Sequence, residues 1–239
     1  MPIQITVMRE SDIEGAVTCI QEAFADDPYS RWIFDTPSTF NPSRNRASLR
    51  TRCRWGMRYA IFHVAKDTST STPDRVLGVA CWLAPNLATL AAPTTWSDWF
   101  TLQISSWSLW SYQVLTNTWY LGRGGLNVRR YWIWKAAQAS AQSSLWDDAR
   151  GYYFCNIVTV LPEAQGKGIG RMMVDTVTAV ADREGRECYL ESSRDKPNVP
   201  IYEKMGFRLC KEMECRDGAQ DPGISLYCMK RSPQLVTNQ

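Results

Sequence analysis

The sequence predicts a mixed α/β fold built on a central, mostly antiparallel sheet with helices on both faces. Three observations carry that prediction. Short apolar or alternating runs recur at both ends of the chain, at residues 3–7, 60–66, 75–83, 151–160, 187–192, 207–215 and 224–230. Helically spaced apolar residues separate most of them. A glycine-rich turn, residues 165–170, joins one strand-like run to an amphipathic helix. With 239 residues, 44% hydrophobic and 21% charged, the chain is long enough for one large core and too apolar for disorder.

The elements follow in order. Ile3, Gln4, Ile5, Thr6 and Val7 alternate as a strand. Ser11 or Asp12 can cap the next helix, where Ile13, Val17, Ile20 and Phe24 share a face. Asp26-Asp27-Pro28 breaks it, and residues 37–42 read as loop. A second helix is expected over 45–59, with arginines at 44, 46, 50, 52, 54 and 58. Those arginines make a solvated helix face or an anion patch. Residues 67–74, rich in Thr, Ser and Pro, read as a hairpin turn. The run VLGVACWL after it is apolar on both sides, as in a central strand.

Residues 86–150 differ in character. They hold eight of the eleven tryptophans and are expected to form a helical insertion of two or three helices. Most of these indoles are read as packing mass, and some as the lining of an acceptor pocket or lid. Regular alternation returns with a strand over 151–160 and helices over 168–184 and 199–205. The last two strands can pair as a hairpin. One domain over 1–231 and a flexible tail over 232–239 complete the division.

Bulk properties exclude several functions. The net charge of +3 is too small for a nucleic-acid footprint. Eight cysteines without a CxxC pair read as buried thiols, and one histidine, His63, gives no zinc set. Residues 102–121 are apolar but repeatedly interrupted by Ser, Gln and Asn, so no membrane partner is expected. No signal segment is read at the start, and the cytoplasm is the expected location.

The chemistry centres on the turn Gln165-Gly166-Lys167-Gly168-Ile169-Gly170-Arg171. Ile169, Met172, Met173, Val177 and Val180 line one face of the helix that it opens. A helix N-terminus offers unpaired amides and positive dipole, and glycines let a ligand approach those amides. An anion such as a pyrophosphate fits there. A Walker loop is absent, and a dinucleotide fingerprint fails where Arg171 stands in place of its third glycine. Glu191, about twenty residues on, keeps a nucleotide-dependent oxidoreductase as a rival.

VLPEAQGKGIGRMMV resembles the acetyl-CoA signature of GNAT acyltransferases, with Gln165, Gly168 and Gly170 at its fixed positions. Residues 201–207, IYEKMGF, are similar to the segment that closes the same fold. The resemblance covers residues 151–207. It implies a sheet splayed where two parallel strands separate, and acetyl-CoA as co-substrate without a metal. It implies that backbone groups of Val158 and Val160 pair with the pantetheine arm. Gln165, Gly166, Lys167, Gly168, Gly170 and Arg171 would hold the pyrophosphate. Tyr202 would protonate the leaving thiolate.

An ammonium cannot attack a thioester, so a base must remove its proton. Glu191 leads the candidates, ahead of Glu163, Asp26, Asp27 and His63. Phe24, Asp27, Pro28 and Trp32 resemble the acceptor-side loop of puromycin N-acetyltransferase-like members, which makes Asp27 and Trp32 candidate substrate contacts. Ser193 and Asn198 are candidate pantetheine contacts. Two features depart from the compact family pattern: the long insertion, and two prolines shortly before Tyr202. The expected reaction is acetyl transfer to an amine of a small-molecule acceptor, by a monomer or homodimer. A protein or peptide N-acetyltransferase and a non-catalytic CoA-binding domain are the alternatives.

Overall fold

The computed structural model describes residues 2–34, 39–68, 75–85, 96–120, 122–146 and 148–234, with side chains at 96–103, 105 and 106 left out. Most of the expected 67–74 turn, the start of the insertion and the end of the tail lie outside the described residues. Seven strands form one sheet: β1 (Ile3–Val7), β2 (Ile61–Asp67), β3 (Val76–Leu83), β4 (Tyr153–Val160), β5 (Cys188–Ser192), β6 (Arg208–Cys215) and β7 (Ile224–Arg231). Their order is β1-β2-β3-β4-β5-β7-β6. Every neighbouring pair is antiparallel except β4 and β5.

The helices are α1 (Ile13–Ala23), α2 (Pro28–Ile33), α3 (Pro42–Tyr59), α4 (Trp96–Trp119), α5 (Val128–Leu145), α6 (Ile169–Glu184) and α7 (Asn198–Glu203). Helix α2 was not expected. Asp27-Pro28 ends α1 and also starts a new helix. The Asp27 side chain accepts from Ser30 N at 3.2 Å, and Pro28 occupies the first turn, where no N–H is needed. Asn41 likewise caps α3 through Arg44 N at 3.0 Å, so that helix begins three residues before the expected start.

Each face of the sheet has its own layer. Helix α6 lies on one: a Cβ on Gly78 would come within 2.8 Å of Met173 Cε and 3.1 Å of Ile169 Cγ2, so the helix packs close over this glycine. Met173 is fully buried there, a burial that contributes about 2–3 kcal/mol. The Tyr153 hydroxyl donates to Glu184 at 2.8 Å on the same side. Helices α2 and α5 pack on the other face with Phe154, Tyr189, Leu226 and Cys228.

The stretch expected as an insertion contains α4 and α5. Helix α4 rests on α3 through one side, where Gln113 and Asn117 meet Arg44 and Gln113 also meets Ser48. Among its described side chains, the other sides face outward. Trp107, Trp110 and Trp119, with Trp132 of α5, are therefore exposed, a correction to their reading as packing mass. Trp134 and Trp146 do pack into the second core. Cys210 is exposed on edge strand β6; the other seven thiols are buried as expected.

Candidate active site

Strands β4 and β5 pair over three residues only: Tyr153 with Cys188, Phe154 with Tyr189 and Cys155 with Leu190. Beyond Cys155 they separate. The cause lies in β4, whose register against β3 skips Asn156: Ile157 faces Cys81, and Cys155 faces Trp82. One extra residue bends a strand and raises its twist. The bulge also inverts the side-chain alternation. Tyr153 and, after the skip, Val160 face α6: Tyr153 bonds Glu184, and a Cβ added at Gly170 would lie 3.7 Å from Val160 Cγ2.

The freed edge of β4 carries usable backbone groups. Leu161 N–H donates to Leu77 O of β3 at 2.9 Å. Alternation then turns the N–H and C=O of Val160 and Val158 toward the other edge, where β5 has left. Val160 O accepts from Gln165 Nε2 at 3.2 Å, which ties the glycine-rich turn to the strand end. Gly168 caps α6 with φ +76°, a conformation that a glycine adopts without strain. A Cβ on Gly166 or Gly168 would meet nothing within 4 Å, so both face open space. Among the described residues, the amides of Gly166, Gly168, Ile169 and Gly170 bond to no other backbone group. Lys167 Nζ donates to Glu163 O at 3.3 Å, and Arg171 pairs with Asp175 at 3.4 Å, both exposed beside this nest.

Two candidate catalytic groups reach the split from opposite faces. Tyr202 packs against the core on the α6 face, with its ring 6.1 Å from that of Phe207. Burial, with Cys155 nearby, pushes its hydroxyl above the usual tyrosine range, so it stays protonated. Glu191 stands one residue past the last β4–β5 pair, across from Asn156. It shares the opposite face with Tyr189, whose hydroxyl donates to Glu191 Oε1 at 2.9 Å. Gln138 Nε2 of α5 donates to Oε2 at 2.8 Å. Burial raises the Glu191 carboxyl above the usual range, against these two donors, the Lys135 ammonium and a further hydrogen bond from Gln142.

The remaining candidates stand elsewhere. Asp27 is buried and uses both oxygens, one for Ser30 N and one for the Ser193 hydroxyl, which joins α2 to the end of β5. Trp32 is buried, with Nε1 donating to Asp221 at 2.8 Å and Arg130 stacked over its ring at 5.3 Å. The polar atoms of both are bonded within the protein. Glu163 pairs with Arg75 and Asp26 with Arg31, all at the surface. His63 lies in β2 between Val7 and Ala80, and burial lowers its pKa. Asn198 donates to Ser192 Oγ at 3.2 Å.

Sequence reasoning missed two sets of residues. Asn156 is exposed at the bulge, the single polar residue among apolar neighbours in the middle of YFCNIVTV. The aromatic wall on the Glu191 face comes from Tyr29, Tyr131 and Trp134, with ring separations of 5.0 Å for Tyr29–Trp134 and 5.7 Å for Tyr131–Trp134. Its signal was the spacing of Tyr131, Trp134, Lys135 and Gln138 along one side of α5.

A family model described as acetyltransferase (GNAT) domain matches residues 128–209, from the start of α5 into β6. Over that stretch the chain is similar to a GNAT acetyltransferase domain. An uncharacterized N-acetyltransferase of Schizosaccharomyces pombe is 24% identical over 197 residues, which cover 82% of this chain and 70% of the relative. A solved Corynebacterium glutamicum protein, named as histone acetyltransferase HPA2 and related acetyltransferase, superposes with TM-score 0.55 at 18% identity over the whole of both chains. Arylalkylamine N-acetyltransferase 2 of Aedes aegypti gives 0.54 at 15% identity, over 98% of this chain and all of its own. The seven-stranded mixed sheet is thus the GNAT acyltransferase fold. Domain match and relative indicate an acyltransferase, and acetyl transfer is the reaction that the GNAT domain supports. Among the described residues no helix is long and apolar enough to cross a membrane, and no group of side chains could hold a metal ion.

Proposed function

We propose that the protein transfers the acetyl group of acetyl-CoA directly to an amine of a small-molecule acceptor. The carrying observation is the split between β4 and β5 with a nest of glycine amides at its head. The pantetheine arm lies along β4 and bonds the outward N–H and C=O of Val158 and the N–H of Val160, as an added strand would. The pyrophosphate sits on the amides of Gly166, Gly168 and Gly170, with Gln165 holding the turn and Lys167 and Arg171 adding charge. Tyr202 gives its proton to the departing thiolate. Glu191 takes the proton of the acceptor ammonium from the other face, which frees the lone pair for attack.

A small acceptor fits the position of α5, which lays Tyr131 and Trp134 beside Glu191. The resemblance to the puromycin N-acetyltransferase-like branch rests on Asp27-Pro28 and Trp32. Since the polar atoms of Asp27 and Trp32 are bonded within the protein, Tyr29 of the same helix takes the acceptor-side place. A protein acceptor is the second reading, in line with the name of the Corynebacterium neighbour. A screen decides between them: thermal stabilisation by acetyl-CoA, CoA and NAD(P), then thiol release with amines and with peptides. Stabilisation by CoA species and turnover of free amines are expected. Stabilisation by NAD(P) alone, or CoA binding with no acceptor turned over, would sink the proposal.

A further inference from the structure

We propose that Lys135 and Gln138, both from helix α5, are positioning residues that orient Glu191 as the base. The inference rests on the role given to Glu191 above. Lys135 and Gln138 are three residues apart, so their side chains rise from the same side of the helix. Lys135 Nζ donates to Gln138 Oε1 at 3.0 Å, and Gln138 Nε2 donates to Glu191 Oε2 at 2.8 Å.

The chain of donors has one direction. An ammonium can only donate, so it fixes which end of the Gln138 amide is oxygen. The NH2 end must then face Glu191. Gln138 is 6% exposed, so this amide has little water to turn toward. Lys135 is itself held, with Nζ 4.6 Å above the Trp134 ring. With Tyr189 on Oε1, both Glu191 oxygens accept a protein donor.

The charges around Glu191 make Lys135 more than a prop. The ionisable groups that face this carboxylate are Tyr29 from α2, Lys135 from α5, Tyr152 just before β4, Tyr189 beside it, Cys215 from β6 and Cys228 from β7. Burial raises the tyrosines and cysteines, which stay neutral. Lys135 supplies a positive charge that favours the ionised base against desolvation. Arg52, near Tyr29 and Lys135, and burial both lower the Lys135 pKa. Helix α5 thus becomes part of the catalytic apparatus.

The test uses the full-length protein and the variants Lys135→Met, Lys135→Arg, Gln138→Leu and Glu191→Gln. Acetyl-CoA binding by thermal shift serves as the folding check. Difference infrared spectroscopy against Glu191→Gln follows the Glu191 carboxyl as pH changes, with no acceptor present. Tryptamine is the acceptor probe for thiol release. In Lys135→Met the Glu191 midpoint should rise by on the order of half a pH unit or more, and the acid limb of kcat/KM should rise with it. Lys135→Arg should restore both. Gln138→Leu should lower kcat by about tenfold to a hundredfold with KM for acetyl-CoA unmoved. A Glu191 midpoint in Lys135→Met equal to wild type overturns the proposal. Failure of the base reading looks different: Glu191→Gln would then release thiol at the wild-type rate whatever the lysine does.

Discussion

Gly170→Ala separates the stability of the loop from its affinity for the cofactor. Gly170 is the second residue of α6 and has a helical backbone. An alanine Cβ there would sit 3.7 Å from Val160 Cγ2, an ordinary contact, so nothing in the protein must move. Replacing a helical glycine by alanine removes conformational freedom from the unfolded chain and stabilises by about 0.5–1 kcal/mol. For a chain of this size that raises Tm by about 1–4 °C without ligand. The added methyl group stands on the helix end that presents the Gly166–Gly170 amides, where the pyrophosphate is proposed to lie. CoA affinity should therefore fall by about tenfold, or roughly 1.4 kcal/mol. Thermal shift with and without saturating CoA reads both numbers on one sample. A variant that melts higher alone but gains less from CoA fits the proposal. A variant that melts higher and binds CoA as wild type would falsify the assignment of the pyrophosphate to these amides.

Tyr202→Phe should leave Tm and CoA binding near wild type, since the hydroxyl makes no hydrogen bond among the described residues, and should lower kcat by about a hundredfold. Steady-state thiol release checks it; an unchanged kcat removes Tyr202 from the mechanism. Asp27→Ala loses the α2 cap and the Ser193 bond and should cost about 1–2 kcal/mol in urea unfolding, with CoA affinity unmoved. Glu14 of α1 is held at about 2 by its hydrogen bonds to Arg50 and Arg46 of α3. Because its folded pKa is depressed below 4.5, its stabilisation is present above pH 4.5 and is lost as pH falls through about 2. The side chain is 57% exposed, so solvent screening keeps the effect below about 1 kcal/mol at neutral pH. Glu14→Gln should be slightly less stable than wild type at pH 7, with a gap that closes toward pH 2.

The strands and the glycine turn were legible in the sequence because each obeys a local rule. Apolar runs bounded by turn residues mark β3 and β4, and helical spacing beginning at Ile169 marks α6. Helix α2 was hidden because Asp-Pro is both a stop and a start, and only the Ser30 amide decides which. The roles of Asp27 and Trp32 were hidden for another reason. Their partners, Ser193 and Asp221, lie 166 and 189 residues away, so no local pattern could show that their polar atoms were already satisfied. The outward indoles of α4 were missed because a tryptophan count gives the apolar mass of a helix but not how many of its sides find a neighbour. Asn156 escaped notice because a bulge is a property of pairing, visible only against the register of β3.

That bulge explains why two groups so unlike in chemistry can serve one bond. If β4 ran straight, it would stay paired with β5, and the sheet would be a closed wall between Tyr202 and Glu191. The skip at Asn156 opens the wall at the level of Cys155 and Leu190. In the proposed mechanism a thioester in that opening is reached by a partly buried, protonated phenol from the α6 face and by a hydrogen-bonded carboxyl group from the α5 face. The thiolate and the amine would then exchange protons with different partners across the sheet. Burial favours the neutral form of both side chains, which suits the phenol as it stands. The carboxylate alone needs compensating donors and a nearby cation, and α5 is the element that brings Gln138 and Lys135 to it.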